Sequence, residues 1–296
     1  TFMASDVAIM TDSNCGFMPR EGEEMGITVI PMPVLINGDV YYEGKNITTE
    51  EFYQALSRGD HVTTSQPSPG DLMDTWRVLL REHREVVCIP MSSGLSSTCQ
   101  SAVTLAQDEE FAGRVFVVDN HRISVTQAQS VLDAKAMAED GMSGAAIRDR
   151  LEAEAMEATI YITVDTLEYL KKGGRITPAA AAIGTVLNLK PVLTIQGDKL
   201  DAFSKSRGFK TAFRTMVKAL HRDLDTRLAP QVREGTLKVG MATTLMEPEK
   251  LAMWKEEMRQ EFPGLELFHL PLTMSIGCHT GPGALGIGAV RYYRKG

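Results

Sequence analysis

Strand-like and helix-like periodicities alternate along the first half of this chain, and that alternation restricts the fold more than any other feature. Four short apolar runs rich in β-branched residues, VAIMTD (7–12), ITVIPMPVLI (27–36), VVCIPM (86–91) and VFVVD (115–119), are separated by longer segments. Between the second and third, GDLMDTWRVLLREH sets Leu72, Met73, Trp76, Leu79 and Leu80 on one helical face. Parallel strands need a crossover long enough for a helix, so strand and helix in alternation predict a parallel α/β sheet covered on both faces.

After a helical stretch over 124–157 the pattern changes. TIYITV (159–164) reads as another strand, and PVLTIQGDKLDAFSKS (191–206) as a hairpin turning at Gly197-Asp198. LKVGMAT and LELFHLP are strands flanking the helical PEKLAMWKEEMRQEF. The expectation is two α/β domains: a parallel-sheet domain over 1–158 and a mixed α+β domain over 159–296, packed closely with a cleft between them.

A net charge of −7 and a pI near 5.5 argue against a nucleic-acid partner, which needs a basic surface. Cys15, Cys88, Cys99 and Cys278 are scattered, without metal-ligand or redox spacing, and read as reduced, packed thiols of a cytoplasmic protein. No apolar run approaches the ~18 residues of a membrane span, and no signal peptide is evident.

Several segments invite a chemical reading. GPGALG (281–286) matches the dinucleotide pattern G-x-G-x-x-G, but the chain ends before the helix, second strand and acidic residue such a site requires, so a glycine-rich turn into GIGAVRYY is expected. VVCIPMSSGLSSTCQSA (86–102) runs from a strand through Ser92, Ser93, Ser96, Ser97 and Thr98 into a helix. It resembles a nucleophile elbow, with Thr98 where that pattern has glycine; the same hydroxyls serve equally as helix caps or as an anion site at the helix start. TTSQPSPGD (63–71) collects neutral hydrogen-bonding groups between two helical patterns, IGCHTGPGA (276–284) sets His279 among glycines, and LKKGGRIT (170–177) reads as a helix C-terminus followed by Arg175. SKSRGFK (204–210) gathers Lys205, Arg207 and Lys210 before a helix.

TSQPS, SSGLSST, LEYLKKGGRI, LNLKPVL and HTGPGALGI, in this order from Thr64 to Ile287, resemble the DegV family of bacterial fatty-acid-binding proteins; VAIMTDSN is similar to that family's first strand end. The resemblance implies two α/β domains enclosing one long-chain fatty acid, with no cofactor. It further implies that the chain is no enzyme itself but the acyl-carrying subunit of a fatty acid kinase, whose separate ATP-binding partner phosphorylates the bound carboxylate to acyl phosphate for phospholipid synthesis. Carried over position by position, it makes Thr64, Ser96 and His279 the carboxylate ligands, with Ser65, Ser93 and Ser97 as additional candidates. Arg175 and Arg207 would lie near the pocket mouth, facing the partner or a phosphate. Any membrane contact would be transient. The chain departs from the family at LSST, where LSGT is common, so Ser97 replaces a glycine beside the head group.

A neutral hydroxyl cradle suits a partly buried carboxylate that must stay nucleophilic, because it stabilises the anion without a tight ion pair. At about 0.8 kcal/mol per buried methylene, a tail of roughly 14 contributes on the order of 11 kcal/mol before ordering costs. Two or three charge-assisted hydrogen bonds add about 1.5–3 kcal/mol each. The run PAAAAIGTVLNL (178–189) is a candidate tunnel wall. Two alternatives share the same residues: an acyl hydrolase with Ser96 as nucleophile and His279 as base, which needs a third group to orient the imidazole, and a regulator that senses acyl chains.

Overall fold

The computed structural model describes residues 3–183 and 189–295. Its first half holds β1 (Val7–Asp12), β2 (Thr28–Ile30), β3 (Pro33–Ile36), β4 (Asp39–Tyr42), β5 (Val62–Thr64), β6 (Glu85–Ile89) and β7 (Val115–Val117). Four of these form the expected parallel sheet, in the order β2-β1-β6-β7. The helix Pro69–Leu80 buries Leu72 and Trp76 on one side of it, and the helix Ser124–Glu139 packs on the other.

ITVIPMPVLI does not form one strand. Pro31 and Pro33 lack the N–H a ladder needs, and between them the chain leaves the parallel sheet at Ile30 to enter a second, antiparallel sheet at Pro33. That sheet, ordered β4-β3-β5, was not anticipated; it pairs Val34 with Thr64. The helical stretch 124–157 is also divided, into Ser124–Glu139 and Gly144–Ala153. Gly141 takes φ 82° between them, and Ser143 caps the second helix by accepting from the Ala146 N–H.

The second half contributes β8 (Ala158–Thr163), β9 (Leu189–Ile195), β10 (Asp201–Arg207), β11 (Leu237–Thr243), β12 (Glu266–Pro271) and β13 (Leu285–Arg291) to one mixed sheet, ordered β10-β9-β8-β13-β11-β12. Only β11 and β12 are parallel neighbours in it. The expected hairpin joins β9 to β10, and GPGALG is the expected turn, with Gly281 and Gly283 at positive φ and the third glycine already inside β13. The hairpin tip reaches the first half: Ser92 Oγ donates to the Gly197 carbonyl at 2.6 Å, and Gly94 lies so close to Asp198 that a Cβ there would sit 2.5 Å from its carboxylate. Between the two sheets, an apolar cluster combines Met32, Met91, Leu95 and Ile123 with Ile160, Ile162, Leu193 and Ala242.

Candidate functional site

This mixed cluster surrounds a cavity of about 340 Å³. Its body is aliphatic, and one wall concentrates polar side chains: Thr64, Ser65, Gln66, Ser96, Ser97, Arg175 and His279 all line it. Each is set by a local device. Thr64 is the last residue of β5, and the following residue remains tied, Ser65 N–H donating to the Pro33 carbonyl at 3.2 Å. Ser96 precedes the helix Thr98–Ala106, where its Oγ accepts from the Thr98 N–H at 3.1 Å and lies 2.9 Å from Thr98 Oγ1. His279 belongs to the helix Met274–Thr280, whose start is held by Glu43, Oε1 accepting from the Met274 N–H at 2.6 Å.

Thr64 Oγ1 and His279 Nε2 stand 3.1 Å apart. Gly173, at the end of the helix Glu168–Gly173, leaves the space on the other side of the ring: a Cβ there would lie 2.3 Å from His279 Nδ1. Burial first, and Arg175 second, push the His279 pKa down to about 4, so the imidazole is neutral near pH 7. Neutral imidazole carrying its proton on Nε2 donates to Thr64 Oγ1 and leaves the Thr64 hydroxyl proton free for a ligand oxygen. Arg175 Nε donates to the Leu95 carbonyl at 3.4 Å and Nη1 to the Gly173 carbonyl at 2.5 Å, so the guanidinium joins the loop bearing Ser96 to the turn beside His279.

Two of the expected residues stand apart. Ser93 is not part of the lining; it faces His121, Oγ to Nδ1 at 3.5 Å. Arg207 closes β10 with an exposed side chain and does not line the cavity, because the strand's alternation turns Ser206 inward and Arg207 outward. Arg175, half-buried, does line the cavity. Ser97 takes αR backbone angles, φ −81° and ψ −1°, which any residue adopts, so its replacement of glycine strains nothing; its Oγ donates to Gln66 Oε1 at 3.4 Å. Of the run 178–189, the stretch 184–188 lies outside the described residues.

The contact a Ser96 hydrolase requires is not made: Ser96 bonds with Thr98, and His279 with Thr64. All four cysteines are free and buried. Among the described residues, no group of three His, Cys, Asp or Glu side chains is placed to hold a metal ion, and no helix is long and apolar enough to cross a membrane.

A family model described as "Uncharacterised protein, DegV family" matches residues 6–292. The chain belongs to the DegV family. A DegV domain-containing protein of Streptomyces coelicolor is 33% identical over 96% of this chain and 98% of its own. Among solved structures, a fatty-acid-binding DegV family protein from Thermus thermophilus superposes with a TM-score of 0.83 at 35% identity, covering 96% of this chain and 99% of that one. A stearic acid-binding protein from Eubacterium ventriosum gives 0.84 at 26% identity, covering 96% and 98%. The DegV fold thus accounts for the four-stranded parallel sheet and the six-stranded mixed sheet.

Sequence reasoning overlooked Asn14, Ser124 and Ser275, which also line the cavity. Asn14 closes VAIMTDSN, the one signal that pointed toward it. Its neighbour Asp12 is fully buried; burial pushes that carboxyl up, while donors from Gln127, Met91 and Asn14 act against the rise.

Proposed function

We propose that this DegV chain binds one long-chain fatty acid between its two units, 1–158 and 159–296, with the carboxylate against Thr64, Ser96 and His279. The observation that carries the reading is the cavity's polarity: aliphatic along its body, with hydroxyls, a neutral imidazole and one guanidinium gathered on one wall. The relatives from Thermus thermophilus and Eubacterium ventriosum, described as binding fatty acid and stearic acid, support it. In this arrangement the tail supplies affinity and the polar wall supplies orientation.

The protein then acts as a carrier. It presents the carboxylate to a separate ATP-dependent kinase subunit, which forms the acyl phosphate used in phospholipid synthesis. Hydroxyl donors hold the anion without quenching its nucleophilic oxygen, and Arg207, exposed on β10, is available to a partner's acidic surface or a phosphate.

Mass spectrometry of lipid released by denaturing the purified protein tests the first step, with about one fatty acid per chain expected. If extraction yields none, and added fatty acid neither binds nor raises the unfolding temperature, the reading is lost. Acyl phosphate formation with a DegV-associated kinase subunit and ATP tests the second.

A further inference from the structure

Besides the polar wall, Asn14, Ser124 and Ser275 are among the polar residues that line the cavity, together with the apolar Met32, Ile123 and Leu272. They come from separate elements, namely the single turn Ser13–Cys15, the first residue of the helix Ser124–Glu139, and the helix Met274–Thr280. The helix Ser124–Glu139 packs on that turn. Ser275 Oγ donates to Asn14 Oδ1 at 2.6 Å. Both amide hydrogens of Asn14 are committed, to Asp12 Oδ1 at 3.0 Å and Met91 Sδ at 2.9 Å, and the carboxylate acceptor sets which way the amide faces. Ser275 has therefore given away its proton and keeps acceptor capacity.

Ser124 is the complement. It is 6% exposed, and its hydroxyl has no hydrogen-bond partner among the described residues. Its backbone sits at φ 56°, in the left-handed region that costs a serine energy. That hydroxyl opens onto the cavity, so an acyl chain that fills the cavity without offering it an oxygen leaves it unpaired, and a ligand oxygen avoids that cost. The cavity thus offers an unused donor and an acceptor on elements that pack together, and a hydroxyl group has the chemistry to meet either.

We infer that Asn14, Ser124 and Ser275 form a second recognition point, for a hydroxyl borne near the carboxyl end of the acyl chain, so that the cavity accepts hydroxyacyl as well as plain acyl ligands. The position follows from the helix: Ser275 lies one turn before His279 on the same face, about 6 Å away. A carboxylate at Thr64 and His279 therefore brings the first few carbons, not the tail end, to Ser275. The inference rests on the acyl-binding reading above.

Calorimetric titration of delipidated protein with palmitate, β-hydroxypalmitate and ω-hydroxypalmitate separates the two. Wild type is expected to bind β-hydroxypalmitate within about threefold of palmitate, or tighter, and ω-hydroxypalmitate at least about tenfold more weakly, because that hydroxyl is buried without a partner. Ser124→Gly, which suits the positive φ, and Ser275→Ala should each lower the ratio of β-hydroxypalmitate to palmitate affinity about tenfold, with a thermal melt of each variant reporting an intact fold. A wild type that binds β-hydroxypalmitate more than about threefold worse than palmitate, or that treats the β and ω acids alike, overturns the inference and leaves the acyl reading standing. So does insensitivity of β-hydroxypalmitate to both substitutions. Failure of palmitate itself to bind removes the acyl reading, and this inference with it.

Discussion

Thr64 and His279, 215 positions apart in the chain, stand 3.1 Å from each other, Oγ1 to Nε2, at the polar wall of the cavity. One ends a strand of the antiparallel sheet and the other rides a short helix just before β13. The pair exists only because the first and second halves of the chain meet at this cavity.

Thr64→Val and Ser96→Ala should therefore weaken fatty acid binding and spare a fatty alcohol of the same length. Each removes a donor to a charged oxygen, worth about 1.5–3 kcal/mol, or roughly tenfold to a hundredfold in affinity. Parallel titrations of acid and alcohol check this. Equal losses for both ligands would reduce the two residues to a structural role.

Gly173 and Gly174 are adjacent, yet alanine should act on them differently. At Gly173 the added methyl would meet His279 Nδ1 at 2.3 Å, so Gly173→Ala is expected to displace the ring and cost at least about tenfold in carboxylate affinity, although alanine favours a helix by about 0.5–1 kcal/mol. At Gly174 nothing lies within 4 Å, but φ is 69°. Gly174→Ala should cost about 1 kcal/mol of stability through backbone strain and leave affinity near wild type. Denaturant melts and titrations of the two variants provide the comparison.

His279 should stay neutral at pH 6 in the ligand-free protein, with its ring titrating near pH 4. Its folded pKa lies below the ordinary 6.5, so between these values the unfolded chain binds the extra proton, and stability contributed by this group falls as pH drops from about 6.5 to 4. Fully developed, that loss is about 3 kcal/mol. Nitrogen-detected NMR of the imidazole follows the titration, and His279→Gln should flatten the acid side of the stability curve relative to wild type. An imidazole already charged at pH 6 would contradict the burial argument.

The two arginines should separate. Arg207→Ala, altering an exposed side chain outside the lining, is expected to lower acyl phosphate formation with the kinase subunit at least about tenfold while fatty acid affinity stays unchanged. Arg175→Ala removes a cation from the wall and its bond to the Leu95 carbonyl, so both turnover and binding should fall. Normal turnover in Arg207→Ala would return Lys205, Arg207 and Lys210 to a solvated charge run.

Much of this architecture was legible in the sequence because its signals are local. Alternating periods foretold the parallel sheet, Gly197-Asp198 marked the hairpin, and the ordered segments from Thr64 to Ile287 pointed to Thr64, Ser96 and His279, which line one cavity. What escaped has a common cause in length and context. Strands of three or four residues, such as β4 and β5, are too short to show a period, and the proline pair hid a change of sheet inside one apolar run. Asn14, Ser124 and Ser275 look like ordinary turn and cap residues until the fold shows that they face a cavity. Ser93 fell outside the lining because sequence neighbours of a site residue need not share its direction.

The apolar wall of the cavity is assembled from both halves of the chain: Met32, Met91 and Ile123 from loops of the first, Ile160, Ile162 and Ala242 from the mixed sheet of the second. Each set packs against the other in one cluster, so melting one half wets the surface of the other. The two halves are thus thermodynamic hostages of each other, expected to unfold in a single calorimetric peak, and any molecule that fills the gap acts as mortar between them, shifting that peak upward without splitting it.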